Sequence, residues 1–220
     1  MRTKNILLAI ASLFLLASCG GGENDRPQPK PKAYLRIDMP EHNYWLVDSL
    51  CSYPGDTLIL GNDTMIAITG SCKTFPFTFE ANQCVELKEK DAPKGEEWVD
   101  INYPQWDAVI FLTYKRLHSP ADLRGQTDTS LHLLEVHYQF SSGLDERAFE
   151  DPEREVYATV WHIKGRNVAS TYQFYATDSS RHFLRGALYI NRVPNNDSLA
   201  PVLEYLQADI DHLVETLRWR

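Results

Sequence analysis

The C-terminal part of the chain carries the pattern that most restricts the fold. Three apolar-rich segments, 156–163, 168–177 and 183–191, are predicted to be β-strands. Only residues 164–167 and 178–182 separate them, with predicted turns at Lys164-Gly165 and 178–181. Connections this short join antiparallel neighbours, so the sequence predicts an antiparallel meander.

A long amphipathic helix is predicted after the meander. The loop at residues 193–197 leads into it, and Ser198 is the predicted N-cap. Pro201 falls in the first turn, where its missing N–H has no helical partner to lose. An apolar stripe of this length needs an apolar surface to cover it, so the helix should lie across the sheet. The stripe consists of Leu199, Val202, Leu203, Leu206, Ile210, Leu213, Val214 and Leu217.

Further strands are predicted in the first half of the chain. The segment 108–114 is apolar nearly throughout, so we expect it in the middle of a sheet. Alternating apolar and polar residues predict half-buried strands elsewhere. One lies in the segment 33–45 and is ended by Pro40, the others are 74–79 and 98–103, and shorter strand-like pieces lie between residues 47 and 70.

A middle helix is predicted over residues 121–140, and residues 141–155 after it are predicted to be an acidic loop. Gly125 weakens the first half of this helix. The combination predicts an α+β fold: an antiparallel β-sheet flanked by a middle helix and a C-terminal helix. The helix is predicted from Leu131, Leu134 and Tyr138, which fall at helical spacing, and its candidate caps are Asp128, Thr129 and Ser130.

The N-terminus predicts export. Arg2 and Lys4 precede an apolar run at residues 6–17. A run of about twelve residues is too short to span a bilayer, which takes roughly twenty, but it suits a secretory signal. Residues 1–18 are therefore the predicted signal peptide.

The end of that signal predicts lipidation. Leu-Ala-Ser-Cys at residues 16–19 resembles the lipobox of bacterial lipoproteins, so Cys19 is the predicted acylated residue. Several acyl chains, such as palmitate, give a stable anchor. Because Gly20 rather than Asp follows Cys19, we expect the outer membrane, on its periplasmic face. Residues 19–32, rich in Gly, Pro and charge, form the predicted flexible tether to a single domain at 33–220.

Charge and composition exclude several partners. The formal net charge is −8, and removal of Arg2 and Lys4 with the signal takes it to −10. An acidic protein is a poor partner for nucleic acid or for anionic lipid headgroups. The histidines are dispersed and no glycine-rich phosphate loop is present, so we expect no metal ion and no cofactor.

Three cysteines remain beyond Cys19, and export permits a disulfide among them. Cys72 with Cys84 is the predicted bridge, because the sequence between them resembles a turn or short hairpin. Cys51 with Cys72 is the alternative.

The segment TDSSRHFLR at residues 177–185 places Ser, His and Asp close together. A catalytic triad needs these groups to converge from different elements, beside an oxyanion hole. Neighbours on one tight turn do not form such a chain, and no GxSxG elbow is present. We therefore expect no enzyme. The pattern favours a hairpin corner held by side chains or a contact surface.

A contact surface could combine this corner with the start of the last helix, which we expect at the same end of the sheet. Arg185 could pair with Asp178 or with an acidic partner. The helix N-terminus could bind an anion, or its side chains could be plain caps. The candidate partner-binding residues are Asp178, Ser179, His182, Arg185, Asn195 and Asp197.

The same residues carry a family resemblance. Residues 157–219 closely resemble the C-terminal half of the gliding motility lipoprotein family GldD, and the likeness extends over most of 31–220. His137 matches the histidine of the family's middle helix. Residues 51–84 depart from the family by their length and cysteine content, which predicts an insertion at about 47–90. The matching motifs are Gly165-Arg166-Asn167, Thr177-Asp178-Ser179, the segment 182–189, Pro194-Asn195 and the segment 197–201.

The resemblance implies a non-enzymatic component of the gliding and type IX secretion apparatus of the Bacteroidetes cell envelope. Its implied partners are other lipoproteins and envelope components of that apparatus, reached through protein–protein interaction. The element order also resembles the PsbP/Mog1-like architecture, which is a binding fold. A periplasmic ligand-binding module is therefore the alternative function.

Overall fold

A computed structural model describes residues 39–52, 57–60, 63–66 and 71–220. The predicted signal peptide, Cys19, the tether and most of the predicted strand at 33–45 lie outside the described residues. Across the described residues the chain forms twelve strands and two helices. The strands are β1 (Tyr44–Ser52), β2 (Thr57–Leu60), β3 (Asp63–Ile66), β4 (Ser71–Asn82), β5 (Glu86–Lys90), β6 (Glu96–Tyr103), β7 (Ala108–Arg116), β8 (Gly143–Asp151), β9 (Val156–Lys164), β10 (Tyr172–Thr177), β11 (His182–Ile190) and β12 (Arg218–Trp219). The helices are α1 (Pro120–Tyr138) and α2 (Asn196–Thr216).

The main sheet has seven antiparallel strands in the order β5-β6-β7-β11-β10-β9-β8. The predicted meander forms β9, β10 and β11, and β7 lies inside the sheet, as its apolar sequence predicted. With two helices beside it, the sheet confirms the α+β class. β10 begins at Tyr172 rather than at Val168, because Val168 packs in a small apolar cluster with Leu134 and Trp161.

One face of this sheet carries the main core, covered by a second layer. That layer contains a three-stranded sheet in the order β1-β4-β12. Alternation along β4 buries Phe75, Phe77 and Phe79, and the Phe77 ring lies 5.5 Å from that of Tyr114 on β7. Within the described ranges, the strands β2 and β3 pair with each other and with no other strand.

The helix α2 completes this second layer, beside β4. The Glu80 backbone N–H donates to the Thr216 hydroxyl at 3.0 Å, which ties the edge of β4 to the end of the helix. Each fully buried aliphatic side chain on the helix stabilises the fold by about 1.5–3 kcal/mol. The predicted apolar stripe is confirmed, with Val202, Leu206, Ile210, Leu213, Val214 and Leu217 buried and Leu199 and Leu203 half-buried.

The helix α1 lies on the opposite face of the main sheet. Its Leu134 packs against Trp161 and Ile163 of β9 in a smaller apolar cluster. Only Ser130 and Leu134 are buried in α1. No helix among the described residues has both the length and the apolar character needed to cross a bilayer.

The acidic segment after α1 corrects one prediction. Residues 143–151 form β8 and not a loop; in the part of the chain that the structure describes, β8 is an edge strand whose one neighbour is β9. Their charged side chains are exposed, and charges on an edge strand oppose pairing with another chain. The acidic composition therefore reflects the edge position and not an absence of regular structure.

The cap of α1 corrects a second prediction. Ser119 is the N-cap, its hydroxyl accepts from Asp122 N–H at 3.2 Å, and Asp122 accepts from His118 N–H at 2.8 Å. The predicted caps Thr129 and Ser130 lie inside the helix. Their hydroxyls donate to carbonyls four residues earlier, which is the other common partner of such side chains.

The start of α2 corrects a third. The N-cap is Asn195 and not Ser198, which falls in the first turn and donates its N–H to the Asn195 carbonyl at 2.9 Å. The Asn195 side chain makes no cap bond because it accepts from Arg166 Nε at 3.1 Å. A tertiary contact therefore replaces the local one.

Candidate functional site

The hairpin between β10 and β11 is held by the carboxylate of Asp178, which is buried. One oxygen accepts the backbone N–H groups of Ser180, Arg181 and His182 at 2.9, 2.7 and 2.8 Å, and the other accepts the Ser180 hydroxyl at 2.9 Å. Ser179 adopts a left-handed φ of 65° at the tip. This is the side-chain-held turn that the sequence predicted.

Two pKa shifts follow from this geometry. Burial alone raises the pKa of Asp178, but the hydrogen bonds from His182, Arg181 and Ser180 outweigh it and lower the pKa below its ordinary value. Burial lowers the pKa of His182. Its ring lies 3.0 Å from the Tyr114 hydroxyl and stacks on Trp219 at 5.1 Å. His182 is therefore a packed, neutral ring at neutral pH.

These contacts do not form a hydrolytic triad in the hairpin. The Ser180 hydroxyl donates to Asp178, while the described partner of the His182 ring is Tyr114. A triad needs the serine to bond the imidazole and the imidazole to bond the acid. The proximity in sequence therefore reflects turn formation.

Arg185 is placed differently from its prediction. Strand alternation directs it to the α1 side of the sheet, where its Nη2 donates to Gln173 Oε1 at 2.7 Å. The predicted pairing of Arg185 with Asp178 is wrong, because the cation nearest that carboxylate is Arg181 at 3.9 Å. Among the described residues Arg185 has no ion-pair partner.

The start of α2 lies at the other end of β11 from the hairpin. Nine residues of strand separate the two ends, a span of about 27 Å. Asn196 donates its side-chain N–H groups to the carbonyls of Gly165 and Val168, and Asp197 lies 3.6 Å from Arg166. The prediction that Asn195 and Asp197 share a surface with the hairpin corner is therefore wrong.

A cavity of about 330 Å³ opens beside the start of α2. Its wall combines charges of both signs with the end of β9. The residues that could contact a ligand there include His162, Lys164, Arg166, Asn196, Asp197 and Glu204.

The cysteines correct another prediction. Cys84 is a free, half-buried thiol, whereas Cys72 is disulfide-bonded, so the predicted Cys72–Cys84 bridge is wrong. The segment between them is mostly the twelve-residue strand β4, which holds its ends about 36 Å apart. The ladder places Cys51 directly opposite Cys72. The alternative pairing of Cys51 with Cys72 stays a prediction.

A polar cluster around Asp209 of α2 was not predicted. Asp209 is buried, and its Oδ1 accepts the Tyr44 hydroxyl at 2.9 Å and lies 2.7 Å from His42 Nδ1. Its Oδ2 accepts the Tyr103 hydroxyl at 2.9 Å, and Asn82 Nδ2 lies 3.2 Å from both oxygens. One carboxylate thus joins the start of the described chain, both sheets and α2.

Aromatic stacking reinforces the Asp209 cluster. The His42 ring lies 3.9 Å from Tyr205, and Tyr44 lies 3.6 Å from His212. Burial and the nearby Asp209 carboxylate raise the pKa of Tyr103 and of Tyr44, so both phenols stay protonated and donate. The cluster fastens residues 39–44, which adjoin the predicted tether, to the domain.

The sequence does contain a signal for Asp209. It lies three residues after Leu206 and four before Leu213, which is a position on the buried stripe of α2. A carboxylate on a buried stripe needs buried donors. Its donors lie far away in sequence, which is why the local pattern alone did not reveal the cluster.

An exposed apolar area lies between α1 and the strands β6 and β7. Paired residues of an antiparallel ladder share a face, which places Trp98 and Phe111 on the α1 side. The Phe111 ring lies 5.5 Å from Tyr189, whose hydroxyl lies 2.9 Å from His137 Nε2 of α1. We call the five apolar side chains of this area, each 38–63% exposed, the α1-side surface: Trp98, Phe111, Leu133, Val136 and Phe140.

Comparison with known proteins identifies the family. A family model described as gliding motility lipoprotein GldD matches residues 68–219, which is more than half of the chain. The chain belongs to the GldD family. A search of curated proteins found no match.

The GldD match includes every site residue described from β4 onward. It contains Asp178, Arg185, Asp209 and the whole α1-side surface. The predicted resemblance over 157–219 lies within it, while the predicted likeness over 31–67 lies outside it. The family identifies the protein as a gliding motility lipoprotein, a class anchored in the cell envelope.

Proposed function

We propose that this GldD-family protein is a non-enzymatic, lipid-anchored accessory component of the gliding motility and type IX secretion machinery. The family match over residues 68–219 carries the proposal. The lipobox at Cys19 supplies the attachment point, and the Gly- and Pro-rich residues 19–32 supply the spacer. Acylated Cys19 holds the domain at the periplasmic face of the outer membrane.

In this proposal the domain acts by protein–protein contact with other lipoproteins and envelope components of the machinery. The α1-side surface supports this mode, because apolar side chains gathered on one face of a monomer are typical of binding sites. Of the earlier candidates, Asp178 already bonds the backbone of the hairpin, and the His182 ring already packs against Tyr114 of β7. We therefore assign the contact surface to the α1 side of the sheet and not to the hairpin corner.

The lipid anchor gives a direct test in cells that lack the native copy. A Cys19→Ala protein should leave the membrane fraction, and motility and type IX cargo secretion should fall, because the domain is no longer held at the machinery. Cys84→Ala is the matched control, since it removes a free thiol of the folded domain. Normal secretion by a soluble Cys19→Ala protein would show that anchoring is not part of the function.

A ligand-binding module is the second candidate, favoured by the cavity beside the start of α2. Arg166 lines this cavity and contacts Asn195 and Asp197. Phosphate or small carboxylates should then raise the unfolding temperature of the wild type and not of Arg166→Met. No shift with any of these anions would remove this candidate.

A further inference from the structure

On the α1 side of the main sheet, Arg185 is a cation without an ion-pair partner among the described residues. Arg185 is half-buried, its one described hydrogen-bond acceptor is Gln173, and no carboxylate pairs with it among the described residues. Burial lowers the pKa of Arg185, so the charged form is held at a cost. An arginine has five N–H donors, and buried charges are normally paired. In a chain of net charge −8, an unpaired Arg185 needs an explanation.

The register shows where its guanidinium lies. Arg185 is opposite Thr113 of β7, while its acceptor Gln173 is opposite Ala187. The side chain therefore leans along β11 toward Ala187 and β10, while Phe111 on β7 is the neighbour of Ala187 on the other side of the ladder. The small Ala187 is thus all that stands between the acceptor strand of the guanidinium and Phe111, so Arg185 and the α1-side surface lie on the same face of the sheet within one strand of each other.

A second unused donor lies at the same place. Gln173 is only 1% exposed, and its Nε2 has no hydrogen-bond partner in the described part of the chain. Its oxygen is the atom that holds Arg185. A buried amide N–H without an acceptor is costly, so it marks a position where an acceptor is missing. The Arg185 guanidinium and the Gln173 amide are thus neighbouring donors, and among the described residues no acceptor serves both.

We propose that the α1-side surface binds a partner protein segment that places a carboxylate on Arg185. Phe111, Leu133 and Val136 would contact apolar side chains on either side of that carboxylate. A guanidinium takes a carboxylate through two parallel hydrogen bonds, and an apolar surround strengthens the pair by excluding water. The inference rests on the proposed function, because the partner is a protein component of the machinery.

The first test separates a binding role of Arg185 from a structural one. In the mature full-length protein in detergent, Arg185→Met should leave the unfolding temperature unchanged or raise it, because an apolar side chain replaces an unpaired charge. Arg154→Met is the matched control and should lower it, since Arg154 bonds Asp151 and the Leu217 carbonyl. An equal fall for both variants would make Arg185 structural and overturn the proposal.

The second test uses phenylacetate as a probe that joins a carboxylate to an apolar ring. Phenylacetate should raise the unfolding temperature of the wild type, whereas phenethylammonium, with the opposite charge, should not. The Arg185→Met protein should respond to neither. If phenylacetate has no effect on the wild type, or acts equally on Arg185→Met, the surface is not a carboxylate site.

The third test uses cross-linking in membranes and then affinity purification. The wild type should capture machinery components, and Arg185→Met should reduce that capture by about tenfold or more, as loss of a buried charge partner does. Equal capture by both proteins would reject the Arg185 site and leave the proposed function standing. No capture by either would reject both. A wild-type adduct only with itself, lost in Arg185→Met, would replace the partner with a second copy.

Discussion

Asp178 and Asp209 are both buried carboxylates, and the fold surrounds each with donors. Asp178 accepts three backbone N–H groups and a hydroxyl. Asp209 accepts two phenols and an amide and contacts the His42 ring. Buried charge persists when it is compensated in this way. Arg185 lacks such compensation, and this contrast at the scale of single residues separates structural polar groups from a candidate contact.

The hairpin carboxylate gives a stability prediction. Asp178→Asn should lower the free energy of unfolding by about 1–3 kcal/mol at neutral pH, because it loses hydrogen bonds to a charged acceptor. The folded pKa of Asp178 lies below its ordinary value of 3.8, so this stabilisation is present above pH 3.8 and is lost as the pH falls through the folded pKa. Urea unfolding at several pH values measures both effects.

The control for this prediction is Asp197→Asn on the surface. Asp197 is exposed and lies 3.6 Å from Arg166, a weak contact, so its free energy of unfolding should change by no more than about 0.5 kcal/mol. Equal losses in both variants would contradict the role assigned to the buried carboxylate.

What the sequence predicted at this scale depends on distance along the chain. The turn at Asp178 was predictable because Asp and Ser side chains bond backbone groups a few residues away. The cluster at Asp209 was not predicted because its partner Tyr103 is 106 positions away in the sequence. The predicted partner of Arg185 was wrong because alternation along β11 directs the Arg185 side chain to the face of the sheet that carries Gln173, away from the turn.

At the scale of elements, the two helices are held in different ways. α2 buries a full apolar stripe against both sheets, whereas α1 buries only Ser130 and Leu134. α1 therefore depends more on its cap at Ser119 and on intrinsic helix propensity. A weakly packed helix with exposed Leu133 and Val136 is suited to present a contact surface.

A pair of glycine substitutions tests this difference. Gly125→Ala in α1 should raise the free energy of unfolding by about 0.5–1 kcal/mol, because in the described part of the chain no atom beyond the neighbouring residues and the helix's own backbone lies within 4 Å of the added Cβ. Gly186→Ala in β11 should lower it by about 1–3 kcal/mol or more, because its Cβ would lie 2.1 Å from a ring carbon of Phe174. Thermal or urea unfolding measures both, and effects of the same sign would contradict the packing described.

The segment before β1 gives a second test at this scale. His42→Ala removes the contact to Asp209 and the stack on Tyr205, so residues 39–44 should exchange their amide hydrogens about tenfold faster or more. Exchange elsewhere in the domain should not change. His132→Ala, an exposed ring on α1, is the matched control. Unchanged exchange at 39–44 would mean that the Asp209 cluster does not fasten this segment.

Elements with strong periodicity were predictable from sequence. The meander and α2 followed from alternation, short turns and a long apolar stripe. β8 was missed because an edge strand with exposed charges resembles a loop in composition. The middle helix was predicted to within one residue at its start, but its cap was missed, and the N-cap of α2 was misplaced by three residues. The predicted caps Thr129, Ser130 and Ser198 instead bond carbonyls three or four residues earlier.

At the scale of the whole molecule, the main sheet separates a heavily packed face from a sparsely covered one. The α+β class was predictable, but the side-by-side arrangement of α2 and the β1-β4-β12 sheet was not. Their contacts join residues far apart in sequence, as in the pairing of Arg218 with Thr78. The sparsely covered face carries the α1-side surface and Arg185.

Three histidines, of which His182 is buried and His137 and His162 are half-buried, predict the pH dependence of the whole domain. Burial lowers the pKa of His137, His162 and His182 below the ordinary value of 6.5. Between each folded pKa and 6.5 the unfolded chain binds more protons, so the stabilisation is present above pH 6.5 and is lost as the pH falls below it. The unfolding temperature should therefore decrease from pH 7 to pH 5. His182→Asn should weaken this dependence, with His132→Asn as the surface control, and a temperature that rises on acidification would contradict it.

The central claim is that an anchored domain works by binding protein components through its α1 side. A photo-cross-linking residue at Val136 tests it most directly in living cells, with the same residue at the exposed Asp128 on the same helix as the control. We expect adducts with envelope components of the gliding and type IX secretion machinery from position 136 and few from position 128. No adduct at position 136 above the level at 128, or adducts only with unrelated proteins, would contradict the account.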